Sequence, residues 1–458
     1  MTSKTPVTPK RKFGLITTIA MIVGIVIGSG IFFKTPLIIK ETNGNVLMGI
    51  LSFVVAAFGI IFGGLTIAQY SSNDDKIGGL VSYCEMSWGK TMGFLAGWFQ
   101  SVVYYPAIIA VIAWVAANYT FGLFGLDNLL TTGTFNPGVW FLAIGYLIFY
   151  YIVNTFQTKK AGHFQDFAMY AKILALLVLS IAGLIIGNPT QVIASSPSYT
   201  TSMNGFLNAV IAVAFATDGW MIAPSIAHEI KDPKKNLTKA LIFAPLVIIA
   251  IYLLYFIGVC AFVGPDALLA GVDPISTISN ALFGPWGIKI VLLFIVISVL
   301  GTLNGLILGY IRTPYALAVR GELPFSEKIA KINTKSDTPI NASIFAFMFS
   351  ILYLLFHFLT LDGSSVYNFN LLDGLAVDDL PIVMNYLFLC FMYFGVLLRP
   401  DKVKASSFCG RYVFPILAIL GSFIILYGGV SRPKFNIYMG ATIVIILVGL
   451  LIRRKKSA

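Results

Sequence analysis

The residues of this chain with the most chemical potential are few and lie in apolar surroundings. They are Gly28-Ser29-Gly30 within the stretch Gly14 to Ile38, Lys172, and Asp218 within Phe215-Ala216-Thr217-Asp218-Gly219-Trp220. No nucleophile and base stand together among them, so the chemistry on offer is recognition. Two glycines flanking a serine make a helix cheap to unwind, because glycine tolerates unusual φ/ψ and weakens a helix interior. Unwinding inside a bilayer leaves the carbonyls of Val26 and Ile27 and the N–H groups of Ser29, Gly30 and Ile31 in need of partners. A zwitterion supplies both kinds, its carboxylate at the positive start of the second half-helix and its ammonium at the carbonyls. The alternative is that Gly-Ser-Gly is only a close-packing patch, as small residues often are where membrane helices touch.

A second interruption, at Phe215 to Trp220 with Pro224 following, tips the balance towards binding. Paired interrupted spans in two halves of a chain are the signature of a carrier built from inverted repeats. Lys172 lies inside an apolar run, where an ammonium must turn inward to oxygens or snorkel to the surface near Asp166. Asp218 can bind a cation, relay a proton, or cap the half-helix that follows it. Ser298 and Thr302 share a helical face that can meet Lys172, although such hydroxyls also bond their own helix. Tyr104-Tyr105-Pro106 reads as packing aromatics beside a proline that frees a carbonyl, with contact to a ligand as the alternative.

Elements that position such residues must cross a membrane. The chain has 458 residues, 58% hydrophobic and 11% charged, with mean hydropathy +0.87. This composition predicts an all-α polytopic membrane protein of roughly twelve spans at about 20 residues each. They run approximately over 14–38, 45–70, 88–122, 138–156, 163–187, 203–228, 239–263, 286–320, 340–360, 376–398, 411–430 and 435–452. The net charge of +12 does not point to nucleic acid, because the basic residues gather at alternate span ends. Lys10 to Lys12, Lys159 and Lys160, Lys231 to Lys239, Lys328 to Lys335, Arg399 to Arg411 and Arg453 to Lys456 form one series, with Lys40, Arg432 and Lys434 as exceptions. Both termini are therefore expected in the cytoplasm, with the first apolar segment a retained span rather than a signal peptide. Cys84, Cys260, Cys390 and Cys409 show no metal spacing, and His163, His228 and His357 are scattered. No metal, cofactor, disulfide or enzyme site is expected, nor the ring of like charges a channel requires.

With these residues in view the chain resembles the amino acid/polyamine/organocation transporters, and within them the bacterial relatives of the L-amino-acid transporter light subunits. The resemblance is carried by Gly28-Ser29-Gly30-Ile31-Phe32, Phe215 to Trp220, Glu229-Ile230-Lys231-Asp232-Pro233-Lys234-Lys235-Asn236 and Arg320-Gly321-Glu322-Leu323-Pro324. It implies a LeuT-type fold with discontinuous helices 1 and 6: a tail at 1–13, five-helix repeats at 14–187 and 203–398, peripheral helices within 411–452 and a basic tail at 453–458. It implies substrate carboxylate on the N–H groups of Ser29 and Gly30, near Gly28, and ammonium on the carbonyls of Val26, Phe215 and Ala216, with Phe215 as an aromatic gate and Asp218 beside it. Lys172, with Ser298 and Thr302, resembles a fixed cation standing where sodium sits in sodium-coupled relatives. A glycoprotein heavy subunit is not expected, since Gly122 to Gly138 holds no cysteine for it. The activity so implied is sodium-independent exchange of neutral, small L-amino acids across the plasma membrane. A proton-coupled symporter or an amine or polyamine carrier is the alternative.

Overall fold

The computed structural model of the protein describes residues 14–28, 30–73, 79–127, 136–221, 230–333, 338–361, 375, 377, 379–432 and 434–457. Ser29, Pro224 and the last part of the sixth expected span therefore lie outside the described residues, as do Gly78, Glu229 and most of the 361–375 loop.

The described residues are mostly helical, because an apolar segment in lipid must satisfy every backbone group within itself. Among the described residues ten helices are long and apolar enough to cross a membrane, and the bent pair α1 (Leu15–Val26) and α2 (Gly30–Glu41), 54° apart, makes an eleventh when taken as one broken span. After them come α3 (Val46–Asn73), α4 (Leu80–Trp88), α5 (Lys90–Phe99), α6 (Tyr105–Leu123), α7 (Pro137–Phe156), α8 (Thr158–Ile186) and the short α9 (Pro189–Ser195). A shorter apolar helix, α10 (Met203–Ala216), ends in a turn at the second interruption. The second half continues with α11 (Pro233–Val263), α12 (Pro265–Leu269), α13 (Pro274–Phe283), α14 (Gly287–Val319), α15 (Ser326–Ile329), α16 (Ile340–Leu361), α17 (Leu380–Leu398), α18 (Phe414–Val430) and α19 (Phe435–Ser457).

The expected long third span is α5 and α6 joined by a π-helical turn, Gln100–Tyr104. Pro106 has no N–H to give and sits at the start of α6. The Tyr105 N–H reaches back to the Gln100 carbonyl, and the Ser101 carbonyl accepts instead from the Tyr310 hydroxyl. The proline thus frees a carbonyl, as the sequence suggests, and the wider turn places Tyr104 on the inner face. The short helices α4, α9, α12 and α13 stand in connections read from the sequence as loops. They are too short or too polar to register as spans, and α13 is fixed by Asp273, whose carboxylate accepts from the Ser276 N–H at 2.9 Å.

The two interrupted spans meet at the centre. α1 packs on α8, α11 and α14, α2 on α10, and α11 bridges α3 and α8. Glu41, at the far end of α2, faces Arg432 at the start of α19. The beginning of α1 and the Arg453 end of α19 accordingly share the opposite face, to which Arg320 and Arg399 also belong. That is the basic face.

Candidate functional site

The site begins with what two glycines permit. A Cβ on Gly30 would lie 2.8 Å from the Ala216 Cα, and one on Gly28 would lie 2.6 Å from Thr302 Oγ1. Only hydrogen at these positions lets the break in the first span press against the end of α10 and against α14. The close-packing reading of Gly-Ser-Gly and the binding reading therefore describe one place. Gly219, with φ +98, turns the chain sharply after α10.

Around this junction lies a cavity of about 30 Å³. Val26, Gly28, Gly30, Phe215, Ala216, Asp218 and Thr302, each singled out in the sequence, line it. The apolar side chains of Ile25, Ile108, Ile112, Leu306 and Ile382 complete the wall. The volume suits a single water molecule, so the pocket is too small for a larger guest unless its walls move apart.

The Lys172 side chain is wholly buried and does not snorkel towards Asp166. Its Nζ donates to the Gly24 carbonyl at 2.6 Å, in the last turn of α1, and to Thr302 Oγ1 at 3.3 Å. Ser298, one turn before Thr302, is left out: its hydroxyl is buried without a hydrogen-bond partner. The ammonium is drawn past it to the end of α1, where a freed carbonyl is the stronger acceptor. The neighbouring Ile25 carbonyl makes no hydrogen bond to Lys172 among the described residues. Asp218 differs from the simple capping expectation. Its carboxylate accepts from the Tyr104 hydroxyl as well as from the Gly219 N–H. Tyr104, read as packing, thus reaches the pocket wall, and Thr217 bonds its own helix through the Val213 carbonyl at 2.8 Å.

Two groups escape the sequence reading. The Tyr252 hydroxyl, on α11, lies 3.1 Å from the Val26 carbonyl and 2.9 Å from the Ala216 carbonyl. It occupies the acceptors expected for a substrate ammonium, one from each interrupted span. Gln165 adds a second donor to the Gly24 carbonyl at 3.3 Å and is itself held by Asn304, which accepts in turn from Asn154 at 2.9 Å. Asn304 on α14 thus joins α7 and α8 through Asn154 and Gln165.

Above the pocket, on the side away from the basic face, Phe215 meets Phe33 edge to face with ring centroids 5.5 Å apart. Lys34 Nζ stands 4.4 Å from the Phe215 centroid and 2.9 Å from Asp379 Oδ1. Arg432 binds the other oxygen of Asp379 and approaches Glu41 at 3.8 Å. Arg432, an exception to the charge bias of the loops, is thus part of a buried ionic layer.

A model of the amino acid permease family matches residues 13–452. The chain is 29% identical to the serine/threonine exchanger SteT of Bacillus subtilis (strain 168), over 96% of this chain and 95% of that protein. It is 27% identical to the human large neutral amino acids transporter small subunit 2, over 96% of this chain and 79% of that protein. It is also 27% identical to the branched-chain amino acid permease BcaP of Bacillus subtilis (strain 168), over 97% and 92%.

Proposed function

Because the chain belongs to the amino acid permease family, we propose that it exchanges neutral, small L-amino acids across the plasma membrane, without sodium, by alternating access. The basic face is then cytoplasmic and carries both termini. The two interrupted spans head five-helix repeats within 14–187 and 203–398, with α18 and α19 peripheral. The carboxylate of the substrate takes N–H groups at the start of α2, Ser29 and Gly30, and its ammonium takes the carbonyls of Val26, Phe215 and Ala216. No disulfide-linked heavy subunit takes part.

The observation that carries this reading is the position of Lys172 between α1 and α14. A buried ammonium bonded to Gly24 and Thr302 links the mobile broken helix to the rest of the bundle, as a bound cation would. The closed pocket and the name of the serine/threonine exchanger support a small neutral substrate. Proton coupling, the second reading, draws on Asp218, a carboxylate in the pocket wall bonded to Tyr104.

The test is counterflow in proteoliposomes at fixed pH against a panel of internal amino acids. Choline in place of sodium is expected to leave exchange unchanged. Lys172→Ala is expected to lose most exchange while apparent affinity changes by less than about tenfold. Uptake that stops without sodium, or normal exchange by Lys172→Ala, overturns the reading.

A further inference from the structure

Behind Phe33, on the side away from the basic face, lies a second cavity of about 170 Å³. It has room for several waters or a small amino acid. Phe33 and Phe215 form the partition between the two cavities: Phe33 lines this one, Phe215 lines the inner pocket, and their rings touch edge to face. The larger cavity is also lined by Asp273, Ser276 and Tyr119. Tyr119 is only 7% exposed, and its hydroxyl makes no hydrogen bond among the described residues. The Tyr255 hydroxyl behind it is buried and also without a partner, and Asp273 lies within electrostatic reach of both phenols. Asp273 caps α13 through the N–H groups of Ile275 and Ser276 and the Ser276 hydroxyl. It remains solvent-exposed, and a carboxylate has about four acceptor positions to offer.

We propose that this cavity is an antechamber that binds the ammonium group of an amino acid waiting to enter the inner pocket. Asp273 supplies the charge, Tyr119 an unused hydroxyl oxygen, and the rings of Phe32 and Phe33 an aromatic part of the wall. The arrangement selects for a compact primary ammonium, since among the described residues the site offers acceptors and aromatic rings but no free cation for a carboxylate: Lys34, at the partition, is committed to Asp379. The proposal rests on the amino-acid transport reading, and it adds a station before the aromatic partition opens.

Asp273→Asn tests it cleanly, because asparagine caps a helix about as well as aspartate and the charge alone is removed. Exchange is measured in intact cells and in everted membrane vesicles, which present opposite faces. Asp273→Asn and Tyr119→Phe are expected to raise the apparent KM by about fivefold from the antechamber face, and by less than about twofold from the basic face. Methylammonium, an ammonium without a carboxylate, serves as a direct probe: calorimetry on the purified protein should detect binding that Asp273→Asn abolishes. Equal KM shifts from both faces, no shift from either, or methylammonium binding that survives Asp273→Asn overturns the antechamber. Loss of exchange in the wild-type protein, with methylammonium binding still dependent on Asp273, would instead count against the transport reading alone.

Discussion

Lys34 and Asp379 are 345 residues apart in the chain, yet their charged atoms lie 2.9 Å from each other with side chains only 2% and 4% exposed. The pair ties α2 to the start of α17 directly over Phe215. A buried ion pair adds little net stability when intact, but breaking it by removing one partner is costly. Here the two partners are not equivalent, because Asp379 also binds Arg432.

Removing Asp379 takes a shared carboxylate from both Lys34 and Arg432, whereas removing Lys34 leaves Asp379 paired with Arg432. Asp379→Asn is therefore expected to destabilise the protein by roughly 3–5 kcal/mol and Lys34→Met by distinctly less. Thermal unfolding in detergent reads the order. A double variant, Lys34→Met with Asp379→Leu, should recover part of the loss, and a double variant worse than Asp379→Asn would show that the layer does more than balance charge.

The second prediction concerns Tyr252, whose one hydroxyl serves carbonyls from both interrupted spans. Tyr252→Phe keeps the ring and removes the donor, so the empty protein should lose about 1–3 kcal/mol for buried acceptors left unpaired. If a substrate ammonium takes over these carbonyls, saturating amino acid should raise the melting temperature of Tyr252→Phe more than that of the wild type. An equal or smaller rise would place the ammonium elsewhere.

The sequence was informative where a local rule was broken. Gly28-Ser29-Gly30, Lys172 and Asp218 each violate what a membrane helix requires, so they were visible without partners. Tyr252 and Lys34 were not. A tyrosine in an apolar span satisfies every rule for packing, and only the crossing of α1 and α10 beside α11 gives its hydroxyl two carbonyls. Lys34 is one residue in an apolar half-helix, and its meaning depends on Asp379, which no local pattern connects to it. The span count came from hydropathy, whereas the short helices between spans depend on caps such as Asp273 that hydropathy does not weigh. Ser298 illustrates the opposite limit: its spacing from Thr302 was correct for a shared face, but a shared face does not decide which hydroxyl an ammonium reaches.

A third prediction lies on the basic face. Burial raises the Glu322 carboxyl above its usual 4.5, and Arg320 and Arg453 only partly offset that effect. One of its oxygens is buried without a partner. A carboxyl with a raised folded-state pKa binds more protons folded than unfolded, so stability declines as pH rises from 4.5 through the folded value. Glu322→Gln should flatten that decline and leave the protein at neutral pH at least as stable as the wild type. A clear fall in melting temperature at neutral pH would mean that the arginine contacts outweigh the burial.

The last prediction separates the two glycines at the break. A methyl group at Gly28 meets the Thr302 side chain, whereas at Gly30 it meets the backbone of Ala216. Overpacking of this kind costs about 1–3 kcal/mol in either case, but only the first clash can be relieved by trimming a neighbour. Thr302→Ala removes the nearest atom, Oγ1 at 2.6 Å, and the methyl at 3.1 Å, leaving Cβ at 3.2 Å. The Gly28→Ala, Thr302→Ala double variant should therefore regain most of the melting temperature lost by Gly28→Ala. It should not regain exchange, because Thr302 Oγ1 is also the second partner of Lys172. No side-chain change is expected to rescue Gly30→Ala. Thermal unfolding and counterflow on the same preparations provide the comparison, and exchange restored together with stability would remove Thr302 from the proposed link between Lys172 and the broken helix.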